Sequence, residues 1–167
     1  MAEATFNGDP STLHMGPASI TFNGNNLGYT LNDSVAINVN MTSTPILPDQ
    51  ASLPVKDIIT NLEVTVTMTL GEVSSSNLAL LPGVASGEGK DPVGIDLLDV
   101  AAELIVTPLK AGNGIAWTFP KASPLMDGPV PFQRTTPQGL QLVFRAYVES
   151  AGGNYMTFSE TSATTTP

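Results

Sequence analysis

Residues 62–70 have the sequence LEVTVTMTL, in which apolar and polar side chains alternate without a fault. Because successive side chains of a β-strand point to opposite faces, this run predicts a strand with one buried face and one face open to water or to a partner. The same two-residue period returns at the apolar positions Val35, Ile37, Val39 and Met41, and again at Leu140, Leu142, Phe144, Ala146 and Val148. Half-buried strands of this kind are typical of antiparallel sheets, so the chain is expected to be mainly β.

The composition narrows the possible functions. The chain has 167 residues, of which 15 are acidic and 6 are basic, and it has no cysteine. A chain of this length can bury one core, which favours a single domain. The acidic balance repels phosphate backbones, so tight binding of nucleic acid is not expected. No stretch approaches the roughly 20 apolar residues that cross a bilayer, and no membrane partner is expected.

The predicted organisation has three parts. They are a flexible N-terminal arm at residues 1–15, a single β domain at 16–159 and a polar C-terminal tail at 160–167. Inside the domain, strands are predicted to pair as hairpins: 16–22 with 27–30 across Asn23-Gly24-Asn25-Asn26, 101–109 with 114–120, and 140–149 with 155–158. A short helix is predicted at 77–81, because Ser74 to Ser76 can cap it and Pro82-Gly83 ends it.

Two segments rich in proline are predicted to lie outside the sheet, because proline cannot donate to a strand ladder. One is residues 124–138, and the other is residues 42–57, which contain Pro45, Pro48 and Pro54. The second segment is unusually apolar for a loop, with Ile46, Leu47, Leu53 and Val55. Structureless connections longer than about 12–15 residues are uncommon in compact domains and are usually functional. These four side chains are therefore expected either to contact a partner or to fold back on the core of their own chain.

Few residues are suited to catalysis. His14 is the only histidine and lies in the polar arm, where nothing in the sequence orients it for a catalytic triad. Asp96, Asp99 and Glu103 would share one face of a helix and could bind a hard cation, but the same residues are as readily the start of a strand, and solvated acids are the favoured interpretation. No enzyme activity, catalytic residue, metal site or cofactor is predicted. Arg145 is expected to pair with an acid on a neighbouring strand or subunit.

The order of these elements resembles a known family. Residues 16–30, GPASITFNGNNLGYT, look like the opening hairpin of the major tail tube proteins of long-tailed, siphovirus-like bacteriophages. Pro54-Val55-Lys56 leading into the long strand, Leu70-Gly71-Glu72-Val73 and the small helix after it are similar to the same family. The resemblance covers roughly residues 16 to 150.

The resemblance implies a fold and a set of partners. The fold would be an antiparallel β-sandwich or half-barrel with one short flanking helix and a long inter-strand loop. Six copies would form a ring, and stacked rings would form the tail tube of the virion after assembly in the host cytoplasm. In that family a tape-measure protein and phage DNA occupy the lumen, and an acidic lumen lets DNA pass during ejection without tight binding.

The resemblance also assigns a contact surface. Members of the family extend a long loop that contacts the neighbouring ring, and residues 42–57 occupy the matching position. The expected residues of this inter-ring contact are Ile46, Leu47, Leu53 and Val55.

Two other functions remain open at this point. Another virion β-protein, such as a head decoration or tail-terminator protein, would form discrete rings or trimers. A carbohydrate- or calcium-binding β-sandwich module could use Asp96, Asp99 and Glu103. Self-assembly is favoured because long strands with few charges suit a sheet whose edges are completed by neighbouring copies.

Overall fold

The computed structural model describes residues 18–31, 34–49, 52–85, 88–109, 114–128, 130, 139–148 and 153–161. The predicted N-terminal arm lies outside these residues, as does the C-terminal tail from residue 162 onwards. One short helix, α1 (Ser75–Leu78), accompanies the strands. The strands are β1 (Ala18–Phe22), β2 (Asn25–Asn26), β3 (Ala36–Ile46), β4 (Lys56–Leu70), β5 (Val84–Ala85), β6 (Glu88–Gly89), β7 (Ala102–Pro108), β8 (Gly114–Met126), β9 (Leu140–Tyr147) and β10 (Thr157–Thr161).

Almost all of these strands belong to one sheet. Its order is β2-β1-β7-β8-β9-β4-β3, with β10 paired to β8, and β5 and β6 form a separate small hairpin. Every pairing is antiparallel. The sheet does not close on itself, and the chain is a mainly antiparallel β-protein of the sandwich or half-barrel type with one short helix, as predicted.

The core lies on one face of this sheet. Val64, Val66, Met68 and Leu70 of β4 are all buried, which confirms the two-residue period of this strand. Leu62 remains 38% exposed, so the buried run begins at Val64. The other fully buried large side chains include Ile20, Leu27, Leu104, Phe119, Leu140, Leu142 and Phe144. The predicted pairing of β7 with β8 is also confirmed, with Leu104 opposite Phe119 and Val106 opposite Trp117.

The first hairpin is tighter than predicted. Asn23 and Gly24 have φ angles of 48° and 76°, and a two-residue turn with both φ angles positive matches the twist of the flanking strands. β2 therefore begins at Asn25 and ends at Asn26. The predicted strand over 27–30 is wrong: the Leu27 N–H still donates to the Ile20 carbonyl at 2.9 Å, but beyond it only Thr30 forms a bridge, and that bridge is to Leu70.

The helix α1 is a single turn that starts earlier than predicted. Ser74 is its N-cap, and its Oγ accepts a hydrogen bond from the Asn77 backbone N–H at 3.2 Å. The helix ends at Leu78, whereas the apolar residues up to Leu81 suggested a longer one. The chain continues from Leu78 in turns, in which the Leu81 N–H donates to the Leu78 carbonyl at 3.1 Å, and Leu81 packs into the core.

β8 is longer than predicted, because it continues through Pro120 and Pro124 to Met126. β8 changes partners along its length: Gly114 to Thr118 pair with β10, and Lys121 to Met126 pair with β9. Pro120 falls between these two pairings. Pro124 lies beyond the last pair with β7, Ala102 with Ala122, so β8 is an edge on that side. Proline is tolerated at such edges, because no ladder hydrogen bond is lost.

β10 pairs with a different strand from the one predicted. It was expected to form a hairpin with β9, but it lies against β8, with Phe158 opposite Trp117. The two rings are 5.7 Å apart. β10 ends at Thr161, two residues beyond the predicted end of the domain.

Candidate assembly surface

β3 and β4 form a long hairpin whose outer half leaves the body of the sheet. β4 pairs with β9 only between Thr65 and Leu70, whereas its pairing with β3 continues to Ile46 opposite Lys56. β3 is itself the last strand of the sheet. We call residues 39–63 the β3–β4 arm. Residues 50 and 51 of this segment lie outside the described residues. Among the described residues, the arm is a ribbon of two strands with no third strand beside it.

The loop predicted over residues 42–57 is shorter in the structure at both of its ends. Thr42 to Ile46 belong to β3, and Lys56 and Asp57 belong to β4, so only residues 47–55 connect the strands. The Val55 N–H donates to the Ile46 carbonyl at 3.1 Å and closes the ribbon at its tip. Pro45 does not end β3 because β3 is an edge strand, where a missing N–H on the outer side removes no ladder bond.

The four residues predicted to form the contact loop are all exposed at the tip of the arm. Their exposed fractions are 43% for Ile46, 58% for Leu47, 73% for Leu53 and 66% for Val55. The alternative in which they fold back onto the core of their own chain is therefore wrong. Their contact with a neighbouring ring stays a prediction.

The arm exposes more apolar residues than the sequence predicted. Besides the four at the tip, it carries Val39, Met41, Ile58, Ile59 and Leu62 as exposed side chains. Val39 and Met41 were predicted to lie on a buried face, and this is wrong because nothing in the described part of the chain covers β3 beyond Ile37. More than half of the exposed large apolar side chains in the described residues lie on this arm. Large exposed apolar patches are typical of interaction sites, so the arm is the candidate assembly surface.

The pairing shows how these side chains are distributed over the two faces. Residues directly opposite each other in an antiparallel ladder share a face. Val39 is opposite Val64, Met41 opposite Leu62 and Ser43 opposite Ile59, so Val39, Met41, Ile59 and Leu62 lie on the face that carries the core residues of β4. Ile58, opposite Thr44, and Ile46 lie on the other face. The apolar stripe of the core thus continues outwards along the arm into solvent.

In the described part of the chain, one ion pair connects the base of the arm to β9. Arg145 of β9 donates from Nη2 to Oε1 of Glu63 at 3.0 Å. Arg145 is directly opposite Thr65, so it reaches diagonally to an acid that lies beyond the last pair of β9 with β4. This confirms the predicted pairing of Arg145 with an acid on a neighbouring strand. Both side chains are nearly half exposed, so the pair contributes little to stability, as is usual for surface ion pairs.

Asp96, Asp99 and Glu103, the possible cation ligands, do not form a cluster in the structure. Asp96 Oδ1 accepts a hydrogen bond from the Leu98 N–H at 2.9 Å in the turns before β7, and Glu103 is exposed within β7. Across the described residues, no three His, Cys, Asp or Glu side chains are arranged to hold a metal ion. His14 lies outside the described residues. No helix in the described part of the chain is long and apolar enough to cross a membrane.

Neither a protein-family model nor a curated protein matches the sequence. The structure is similar to a cap that terminates the tube of the anti-feeding prophage, determined by cryo-electron microscopy, with 12% identity over 96% of each chain and a TM-score of 0.46. A TM-score of this size does not identify a fold family, so no function is transferred from this neighbour.

Proposed function

We propose that the chain is a self-assembling structural protein of a bacteriophage tail, whose copies form rings that stack into a tube. The observation that carries this proposal is the β3–β4 arm, a two-stranded ribbon with exposed apolar side chains on both faces. A two-stranded ribbon is at best marginally stable alone in water. The arm therefore needs a partner that covers it, and an identical copy supplies one at every position of a ring or tube.

The free energies involved favour a repeated contact. Fully burying one large aliphatic side chain contributes about 1.5–3 kcal/mol. The four tip residues together therefore contribute on the order of 6–12 kcal/mol as an upper estimate. Association of two proteins costs about 4–15 kcal/mol in lost freedom of motion. The burial of one arm thus roughly balances the cost of association. Several such contacts made at once in a ring exceed that cost and stabilise the ring.

The sequence resemblance to major tail tube proteins supports the specific assembly. In that family the long loop contacts the neighbouring ring, and Ile46, Leu47, Leu53 and Val55 stand in the matching segment. On this basis the rings are hexamers, the lumen holds a tape-measure protein and then passing DNA, and the protein resides in the virion tail after assembly in the host cytoplasm. The formal net charge of −9 suits a lumen that does not retain DNA. The role is structural, without catalysis or a cofactor.

The experiment replaces Ile46 and Leu47 together by serine. Because both side chains are already exposed in the subunit, the double variant is expected to fold with an unchanged melting temperature but to lose polymerisation. The matched control is V93S/L98S, which removes two exposed apolar side chains outside the arm and should assemble normally. Melting is followed by circular dichroism and assembly by negative-stain electron microscopy. A stable I46S/L47S variant that forms the same polymers as the wild type would contradict the assignment of the arm as the contact between copies.

A further inference from the structure

The pairing register of the arm changes at one point. Thr42 lies opposite Asn61, but the next residue, Ser43, lies opposite Ile59. Thr60 is therefore an extra residue in β4 with no partner position on β3, which is a β-bulge. A bulge bends its strand and increases the local right-handed twist. This bend lies between the body of the sheet and the exposed tip of the arm.

The Thr60 side chain makes a hydrogen bond across the bulge. Its Oγ1 donates a hydrogen bond to the Thr42 carbonyl at 3.2 Å and lies 3.4 Å from Oγ1 of Thr44. A bulge locally disrupts the ladder of backbone hydrogen bonds. The hydroxyl supplies a donor at that disruption, which a side chain of the same shape without the hydroxyl, such as valine, lacks.

The bulge also determines the face on which Ile59 lies. If the two-residue period of residues 62–70 continued unbroken towards the tip, Ile59 would point away from Leu62. Because Thr60 is extra, Ile59 lies opposite Ser43 and joins the face of Met41 and Leu62. The bulge thus extends the apolar stripe of the core into the outer half of the arm.

We propose that Thr60 is a positioning residue: its bulge sets the direction in which the arm leaves the body and so aims the apolar surface of the arm at a second copy of the chain. The identity of that occupant rests on the proposed function, because a copy of the chain is the partner that a ring supplies. The direction of the arm is a property of the single subunit and can be measured without assembly.

Deletion of Thr60 isolates the effect of the bulge. The pairs Thr42 with Asn61 and Ser43 with Ile59 then become successive, so the pairs on either side can be kept while the bulge and the Thr60 hydroxyl are removed. T60S is the matched control because it keeps the hydroxyl. T60V removes the hydroxyl but keeps the chain length, and it serves as the second variant if the deletion does not fold.

The first measurement is a distance within the free subunit. The chain has no cysteine, so L53C at the tip and E103C in β7 place two spin labels uniquely. Pulsed electron paramagnetic resonance should give the same distance for the T60S background as for wild type, a displaced distance for the deletion, and a displaced or broadened distribution for T60V. A distance distribution that matches wild type in every one of these two variants that folds would overturn the proposal.

The second measurement is assembly of the same variants without labels. The deletion should melt like the wild-type subunit yet form no polymers, or polymers of altered diameter, while T60S forms wild-type polymers. A deletion variant that forms wild-type polymers would also overturn the proposal. If the wild type itself forms no polymers, the proposed function fails, and the distance measurement still decides whether Thr60 directs the arm.

Discussion

Asn77 shows how one buried polar side chain connects three parts of the fold. Only 7% of it is exposed, and its side-chain amide donates to the Leu27 carbonyl at 3.2 Å and to the Glu72 carbonyl at 2.8 Å. It therefore connects α1 to the segment after β2 and to the segment after β4. The sequence predicted only that Asn77 lies in a helix, because a hydrogen bond to a residue 50 positions away leaves no local pattern.

Replacing Asn77 by alanine should leave both carbonyls without this donor. Loss of a partner for a buried polar group costs about 1–3 kcal/mol, so N77A is expected to lower the free energy of unfolding by that amount. Urea denaturation followed by circular dichroism measures it. The control N154A, at an exposed position, should stay within about 0.5 kcal/mol of wild type. An equal effect of the two substitutions would contradict the role given to the Asn77 amide.

At the scale of elements, the sequence predicted best where structure is local. The buried positions of residues 62–70 were predicted correctly from Val64 onwards, and the helix cap was found at Ser74. The turn predicted over residues 23–26 was found at Asn23 and Gly24 alone. The arm was not predicted, because proline was expected to exclude residues 42–57 from the sheet. Proline is excluded only from interior strands, and Pro45 lies in β3, which is an edge strand. The exposure of Val39 and Met41 depends on where the ladder of β9 with β4 ends, and that is a long-range property. The pairing of β10 is also a long-range property, because β10 pairs with β8 and not with β9, the strand before it in sequence.

Hydrogen exchange should distinguish the arm from the body of β4. Backbone hydrogen bonds in an exposed two-stranded ribbon open more readily than those of a buried strand. In the free subunit, amides of residues 56–62 are therefore expected to exchange much faster than amides of 64–70. On assembly the arm should become protected while the body changes little. Equal protection of both stretches in the free subunit would show that the arm is stable without a partner.

At the scale of the whole molecule, the described part of the sheet ends at a strand with no neighbour on its outer side. β3 is an edge strand of 11 residues, and its outer half carries apolar side chains rather than the charges that usually protect such edges. When a projecting arm contacts a different surface of the next copy, the interface is head-to-tail and generates closed rings or open filaments. The negative net charge opposes disordered aggregation of the free subunits. These features are the ones that we expect of the self-assembling protein proposed above.

Negative-stain electron microscopy of the purified wild-type chain, over a range of protein concentrations, tests this central claim most directly. The arm and its apolar surface predict long hollow tubes built from stacked rings. Discrete rings that never stack would contradict the tube and favour a terminator or decoration protein. Monomers at every concentration, with the arm still exposed, would contradict self-assembly altogether.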